Sequence, residues 1–420
     1  MQTQGHDLVS TLDERTSNIR ATIENVLVLP LSRHPSPRSV LIIGCGIVGA
    51  ATAFFLARRG VDVTIIEREG PASAATGAAD GAVSVASKRP GPMMVAALSG
   101  VALYRELLGD GTLTDLFKPR STFVVAASDA ECAVLEAHAG ALRGEGVAVE
   151  MLAHETLIAR FPALSSNVRM GAEVKGDGHA IGYRIVNRLL SLSGVTVLRG
   201  VEAYHLVEAA DGRIVAVATS RGELSADAVV IAAGNGAPTL LNCDGVMKPR
   251  KGQLLVTERA PALNASMPGS IMSGRYLLSK GSQKGAEVSA RGYGLVVDPL
   301  VTGQFLIGGT REDSDARQTN DLEAVRHILT DAVAMVPGLA DIRLLRAFAG
   351  VRTAVIDGLP LVGRLPGRNN LFVAAGFEGD GICLGPVMGQ AIAAMACGET
   401  PSLDLSSFDP ARFTSLEVAA

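Results

Sequence analysis

The stretch Val40-Leu-Ile-Ile-Gly-Cys-Gly-Ile-Val-Gly-Ala-Ala-Thr-Ala-Phe-Phe-Leu-Ala-Arg-Arg-Gly-Val-Asp-Val-Thr-Ile-Ile-Glu67 decides how this chain folds. Its first four residues form a continuous apolar run, the pattern of a strand buried on both faces. Gly44, Gly46 and Gly49 follow at G-x-G-x-x-G spacing. They supply a tight turn, close approach of backbone to a pyrophosphate, and close packing of the next helix on the strand. A helix from about Ile47 to Arg59, stopped by Gly60, aims its free N–H groups and positive dipole end at the anion. A second strand, Val61 to Ile66, ends on Glu67, 23 residues beyond Gly44, where a carboxylate accepts hydrogen bonds from an adenosine ribose.

The uncharged run Ser39 to Ala57 is 19 residues long, close to the length of a membrane span. Three glycines in six residues, and the division of the run into a strand and a helix, favour the dinucleotide turn.

Composition narrows the class. The chain has 420 residues, enough for a large core in two or three domains, and its 48% hydrophobic content without Trp suits an α/β protein. A net charge of −4 and the absence of a basic stripe with interleaved aromatics exclude a polyanion partner. The five cysteines contain no C-x-x-C pair, so neither zinc nor an iron–sulfur cluster finds its ligands, and they read as reduced thiols of a cytoplasmic protein. The seven histidines fall in no metal or triad spacing, and His179 and His205 read as structural. Residues 1–38 form an N-terminal extension whose Asp7, Asp13, Glu14 and Glu24 oppose a transit peptide.

Along the chain, Pro71 to Gly91 is dominated by Ala, Gly and Ser, small residues that let a backbone press on a flat ligand. Gly194 to Ala218 reads as two strands joined at Asp211-Gly212, and Ala228 to Gly236 as a buried strand ending in small residues. A basic turn, Lys248-Pro-Arg-Lys-Gly252, leads into a β-rich region that contains Tyr276 and a surface excursion from Lys280 to Gly294. Leu371 to Ala375 is another buried strand, running into Gly376-Phe-Glu-Gly-Asp-Gly-Ile382 and a last helix from about Gly385 to Ala396. That turn is a second anion seat.

The fold class expected is α/β with an α+β second domain. A Rossmann-like nucleotide-binding domain (39–120, 159–240 and 346–413) alternates with a mostly antiparallel substrate domain (121–158 and 241–345), and 414–420 is a tail.

With both ends read, the pattern over about residues 39 to 413 resembles the FAD-dependent D-amino acid oxidase and glycine oxidase superfamily, flavoproteins of glutathione-reductase-like topology. Lys248-Pro-Arg-Lys-Gly-Gln-Leu-Leu-Val-Thr-Glu258, Leu306-Ile-Gly-Gly-Thr-Arg-Glu312, Ala349-Gly-Val-Arg-Thr353 and Asp357-Gly-Leu-Pro360 are similar to catalytic subunits of heteromeric dehydrogenases, among them opine oxidases, D-hydroxyproline dehydrogenase and hydrogen cyanide synthase. The resemblance implies FAD held by Gly44, Gly46, Ile47, Val48 and Gly49 at the pyrophosphate and by Glu67 and Arg68 at the ribose. Thr76, Ala78, Ala79 and Gly81 would lie beside the flavin, Ala203 near the adenine, and Ala233 and Gly234 under the phosphates. Gly379, Asp380, Gly381 and Ile382 would meet the pyrimidine end of the ring. Some relatives attach FAD through a cysteine shortly after the arginine of Gly-Val-Arg; Thr353 to Gly358 has none, so the FAD is expected to be non-covalent.

Arg352 is the leading substrate residue, because a planar guanidinium holds a carboxylate through two parallel hydrogen bonds. Tyr276 aligns with a tyrosine that covers the carboxylate in relatives. Simpler oxidases often carry a histidine after the glycine at 376 and a second arginine near 379, whereas Phe377, Glu378 and Gly379 stand here, leaving Glu378 open to a role with a basic group, with solvent or with FAD. The activity implied is dehydrogenation of a D-amino acid, a D-hydroxyproline-like imino acid or an opine by hydride transfer from Cα to flavin. The partners implied are a second flavoprotein subunit and a small iron–sulfur subunit. Lys248, Arg250 and Lys251 are candidates for the phosphate of an interfacial FMN. A self-sufficient oxidase making hydrogen peroxide, a non-catalytic FAD electron-transfer subunit and an NAD enzyme are the alternatives.

Overall fold

Val40, Leu41, Ile42 and Ile43 are all at most 5% exposed, as an apolar run without alternation requires. Their strand, Ser39–Ile43, is parallel to Asp62–Glu67 on one side and Ala228–Ile231 on the other. The computed structural model describes residues 36–243, 245–281 and 291–413. Most of the expected N-terminal extension, the tail 414–420 and the middle of the expected excursion after Lys280 lie outside them.

Six strands form the nucleotide-binding sheet, in the order Leu361–Arg364, Leu371–Ala375, Ala228–Ile231, Ser39–Ile43, Asp62–Glu67, Thr196–Arg199. All neighbours are parallel except the first pair. The helices Ile47–Ala57 and Gly381–Ala396 pack on each other against this sheet. Small residues let them close, since a Cβ added at Gly389 would lie 2.7 Å from the Thr52 nitrogen. The uncharged run Ser39 to Ala57 is thus the strand and buried helix its glycines favoured, and no helix among the described residues is long and apolar enough to cross a membrane.

The second sheet has eight strands in the order Leu344–Val355, Met247–Thr257, Phe305–Arg311, Gly292–Pro299, Gly269–Ser273, Ser121–Ala126, Met170–Val174, Val149–Ala153. One neighbouring pair, Gly269–Ser273 with Ser121–Ala126, is parallel and the rest antiparallel. A core of Phe123, Phe161, Phe305 and Leu255 fills one face, with the helix Leu322–Met335 packed there.

Several expectations change. The boundary at 345/346 falls inside the continuous strand Leu344–Val355, and Met170–Val174 pairs with Ser121–Ala126 in the second sheet although it follows the boundary at 158/159. Gly194 to Ala218 holds three strands: Thr196–Arg199 completes the parallel sheet, and only Ala203–Glu208 and Ile214–Thr219 form the hairpin. Lys248 to Gly252 is no turn but part of the strand Met247–Thr257, held in register by Leu344–Val355 along its whole length. Tyr276 sits on the short helix Gly274–Gly281 and not on a strand.

Candidate active site

One cavity of about 1470 Å³ runs between the two sheets, from Gly44, Gly46 and Glu67 at one end to Tyr276, Arg311 and Arg352 at the other. Ile47, Val48, Arg68, Thr76, Ala78, Ala79, Ala203, Ala233, Gly234, Gly379, Gly381 and Ile382 also line it. Gly49 serves packing: a Cβ there would lie 2.1 Å from the Gly44 carbonyl oxygen. Gly81 presses on Ala180 and His179 and is outside the cavity wall. Among the described residues, then, Gly81 faces protein where a flavin contact was expected.

At the first end the turn fits a dinucleotide. A Cβ at Gly46 would meet only Thr76 Oγ1, at 3.2 Å, so the room in front of the helix is real space kept by the missing side chain. Thr76 Oγ1 accepts a hydrogen bond from Ile47 N–H at 3.0 Å, a capping contact the sequence reading had missed. The Glu67 oxygens accept from Cys45 N–H at 2.9 Å and Glu69 N–H at 3.0 Å, which fixes the carboxylate and leaves each oxygen a lone pair for a ribose hydroxyl. Cys45 between the glycines is fully buried, and burial, with Glu67 nearby, pushes its thiol up to about 12. It is inert.

At the other end three guanidiniums converge on one carboxylate. Glu378 Oε1 lies 3.0 Å from Arg311 Nε, 3.5 Å from Arg250 Nη1 and 3.9 Å from Arg352 Nη1. Burial alone would raise the Glu378 pKa, but Arg311, then Arg352, outweigh it and hold the carboxyl below its ordinary value. Glu378 is thus committed to arginines and does not wait for a basic group. Its backbone has φ +46°, a left-handed conformation that bends the chain between Ala375 and the last helix. Arg352 Nη2 donates to the Thr310 carbonyl at 2.9 Å, and Gly252 leaves the room, since a Cβ there would lie 2.4 Å from that nitrogen. Asn235 braces the strand on both sides of Arg352, donating to the Val351 carbonyl at 2.9 Å and accepting from Thr353 Oγ1 at 2.7 Å. Tyr276 lies with its hydroxyl 3.4 Å from Arg311 Nη2, which donates to it.

Arg311 is the main residue the sequence reading missed. It ends the strand Phe305–Arg311, inside the quoted Leu306 to Glu312 motif, and shares a strand face with Gly309, so period-two alternation was the available signal. It brings a second guanidinium into the cavity, beside Glu378. Lys88 was missed too: its ammonium is buried against Asp380, so the Asp380 side chain, expected at the cofactor, is taken up by this ion pair.

The three basic candidates for an FMN phosphate do not stand ready for one. Lys248 and Arg250 both pair with Asp313, at 2.5 and 3.1 Å. Lys251 is 4% exposed, with its ammonium 3.0 Å from Thr319 Oγ1.

The comparisons agree with this architecture. Residues 39–395 match the family DAO, FAD dependent oxidoreductase. The chain is 29% identical to an uncharacterized oxidoreductase, YurR, of Bacillus subtilis (strain 168), over 89% of this chain and 99% of that one. It is 26% identical to sarcosine oxidase subunit beta of Rhizobium meliloti (strain 1021), over 91% of each. The crystal structure of glycine oxidase from Geobacillus kaustophilus superposes with a TM-score of 0.78 at 24% identity, over 90% of this chain and 99% of that one. With a dinucleotide turn at one end of its cavity and a family match spanning most of its length, this chain belongs to the DAO family of FAD-dependent oxidoreductases.

Proposed function

We propose that this chain oxidises the carbon–nitrogen bond of an amino or imino acid, as the catalytic subunit of a heteromeric dehydrogenase. The observation that carries the reading is that Arg352, Arg311 and Tyr276 line the same cavity as the dinucleotide turn. Non-covalent FAD, when bound, supplies the acceptor for a hydride leaving Cα. Gly46, Ile47, Val48, Glu67 and Arg68 would hold its nucleotide half, and Thr76, Ala78, Ala79, Gly379, Gly381 and Ile382 its ring.

In this reading Arg352 takes the substrate carboxylate. Its Nη2 is already fixed to a backbone carbonyl, so the guanidinium plane is set before substrate arrives and little entropy is lost on binding. Arg311 reinforces the positive field, and Tyr276 covers the bound acid. The helix Gly381–Ala396 begins at the cavity, and its positive end favours negative charge there.

The substrate classes considered are D-amino acids, D-hydroxyproline-like imino acids and opines. Likeness to a sarcosine oxidase subunit supports assembly with other chains. The partners of this reading are a second flavoprotein subunit and a small iron–sulfur subunit, and its compartment is the cytoplasm. FMN at an interface has no free cation to recommend it at Lys248, Arg250 or Lys251 and drops out of the proposal. The test is anaerobic: purified yellow protein is mixed with members of each class, and loss of visible flavin absorbance is followed. Bleaching by an amino or imino acid supports the reading, and its absence across the panel overturns it. Partner chains recovered on co-purification support the assembly. A monomer fully active with oxygen, releasing hydrogen peroxide, overturns it.

A further inference from the structure

We propose that Asp80 is a further catalytic residue: its carboxylate takes a proton from the substrate's ammonium, freeing the nitrogen lone pair before the Cα–H bond breaks. The proposal rests on the amine-oxidising reading above and adds a base to it.

Position is the first support. Asp80 is half-buried in the cavity wall. Two residues before it, Ala78 is pressed against the long strand so closely that a Cβ at Gly350 would lie 2.5 Å from the Ala78 Cβ. Arg352 stands two residues beyond Gly350 on the same face of that strand. Asp80 and Arg352 both line the cavity beside that contact, near enough for the guanidinium charge to act on the carboxylate. A small zwitterion lying there presents its carboxylate to the guanidinium and its ammonium to the carboxylate.

The carboxylate is held in place. Its Oδ1 accepts from Ala82 N–H at 3.1 Å, and the Asp80 carbonyl accepts from His179 Nε2–H at 2.8 Å.

Its electrostatic surroundings suit a proton acceptor. Asp298, 1% exposed, also lines the cavity, with Oδ1 bound by Arg120 and Ser270 and Oδ2 unpartnered among the described residues. Asp380 is matched by Lys88. His179 packs beside Asp80, and burial lowers its pKa, so it brings no charge at neutral pH. Arg352 and Arg120, the latter paired with Asp298, are the cations that act on Asp80. Burial, then the charge of Asp298, raises the Asp80 pKa against the Ala82 hydrogen bond and Arg352. A carboxylate with a stronger hold on a proton is closer in pKa to an amine, and so a better acceptor from it. In the step an N–H bond breaks, an O–H bond forms on Asp80, and the electron pair stays on nitrogen. No oxidant is consumed.

The test uses the full chain with FAD and any co-purifying subunits, N-methylglycine and a cyclic imino acid as substrates, and anaerobic stopped-flow bleaching across pH. In wild type, bleaching at neutral pH is fast and falls on acidification as Asp80 becomes protonated. Asp80→Asn should lose about 10²-fold at neutral pH and recover as pH rises toward the amine's own pKa, while Asp80→Glu keeps part of the wild-type profile. Infrared difference spectra of wild type should show a carboxylic C=O band titrating above the ordinary Asp range, absent in Asp80→Asn. A pH profile unchanged in Asp80→Asn overturns the proposal and leaves the amine-oxidising reading intact. An infrared band that survives Asp80→Asn also overturns it. No bleaching by any member of the amino and imino acid panel at any pH overturns both.

Discussion

The hydroxyl of Thr76 accepts a hydrogen bond from the N–H of Ile47, 3.0 Å away, and so joins the small-residue segment to the start of the first helix. This contact satisfies one of the unpaired N–H groups at a helix start. Thr76→Ala should cost about 1 kcal/mol of stability and weaken FAD retention, whereas Thr76→Ser should restore both. Thermal unfolding and flavin released on gel filtration measure the two effects. Equal behaviour of the Ala and Ser variants would show that the hydroxyl is idle.

Two of the turn glycines, Gly44 and Gly46, should separate in mutagenesis. Gly46 has φ −77° and space for a side chain, so Gly46→Val should fold and emerge colourless. Gly44 has φ +103°, and a Cβ there would lie 2.4 Å from the Ala232 carbonyl oxygen, so Gly44→Val should lose stability as well as colour. Circular dichroism melting beside the visible spectrum distinguishes them. A yellow Gly46→Val protein with full FAD content would remove the pyrophosphate seat from that turn.

Arg352→Lys keeps the charge but loses the planar fork. The efficiency of flavin reduction should fall about 10²-fold, equivalent to about 2.7 kcal/mol, with FAD content unchanged. Unaltered reduction kinetics would make Arg352 a structural residue.

That strand-to-turn arithmetic was legible in sequence because it is local. Val40 to Glu67 carries its whole argument within 28 residues, and the strand, turn, helix and acid all stand where the spacing put them. The pairings of Arg311 and Lys88 were not legible, because their partners lie far along the chain: Glu378 for one and Asp380 for the other. Tyr276 was placed in a β-rich region by its neighbours' composition, yet tertiary packing against Gly294 set it on a helix. The basic cluster at 248 to 251 looked like a turn because its Pro and Gly are turn formers; eleven registered pairs with Leu344–Val355 override that preference.

The buried pair of Lys88 and Asp380 gives a stability prediction. Lys88→Met leaves a carboxylate without its counter-charge and should cost about 3–5 kcal/mol, of which Lys88→Met with Asp380→Asn recovers a large part. Urea unfolding of the single and double variants reads the coupling. Additive losses would mean the two charges do not depend on each other.

Glu378 adds a pH dependence whose sign is fixed. Its pKa is lower folded than unfolded, so its stabilisation is present above the ordinary carboxylate range and is lost as pH falls through the folded value. The difference in unfolding free energy between wild type and Glu378→Gln should be constant near neutrality and shrink on acidification, as followed by urea titrations at several pH values. A difference that grew toward low pH would contradict the arginine cluster.

Arg250 and Arg352 face each other directly across the ladder of the two long strands. Like charges opposite one another in a sheet repel, and here the opposing carboxylates come from outside the pair, on Asp313 and Glu378. This end of the cavity is therefore a place where the fold tolerates repulsion that an arriving anion relieves. A carboxylate need not react to be noticed: by mass action, a ligand at 100 times its dissociation constant stabilises the folded state by about 2.7 kcal/mol. The melting temperature of this chain is accordingly a detector for acids that fit the arginine end, inhibitors and substrates alike, before any of them is turned over.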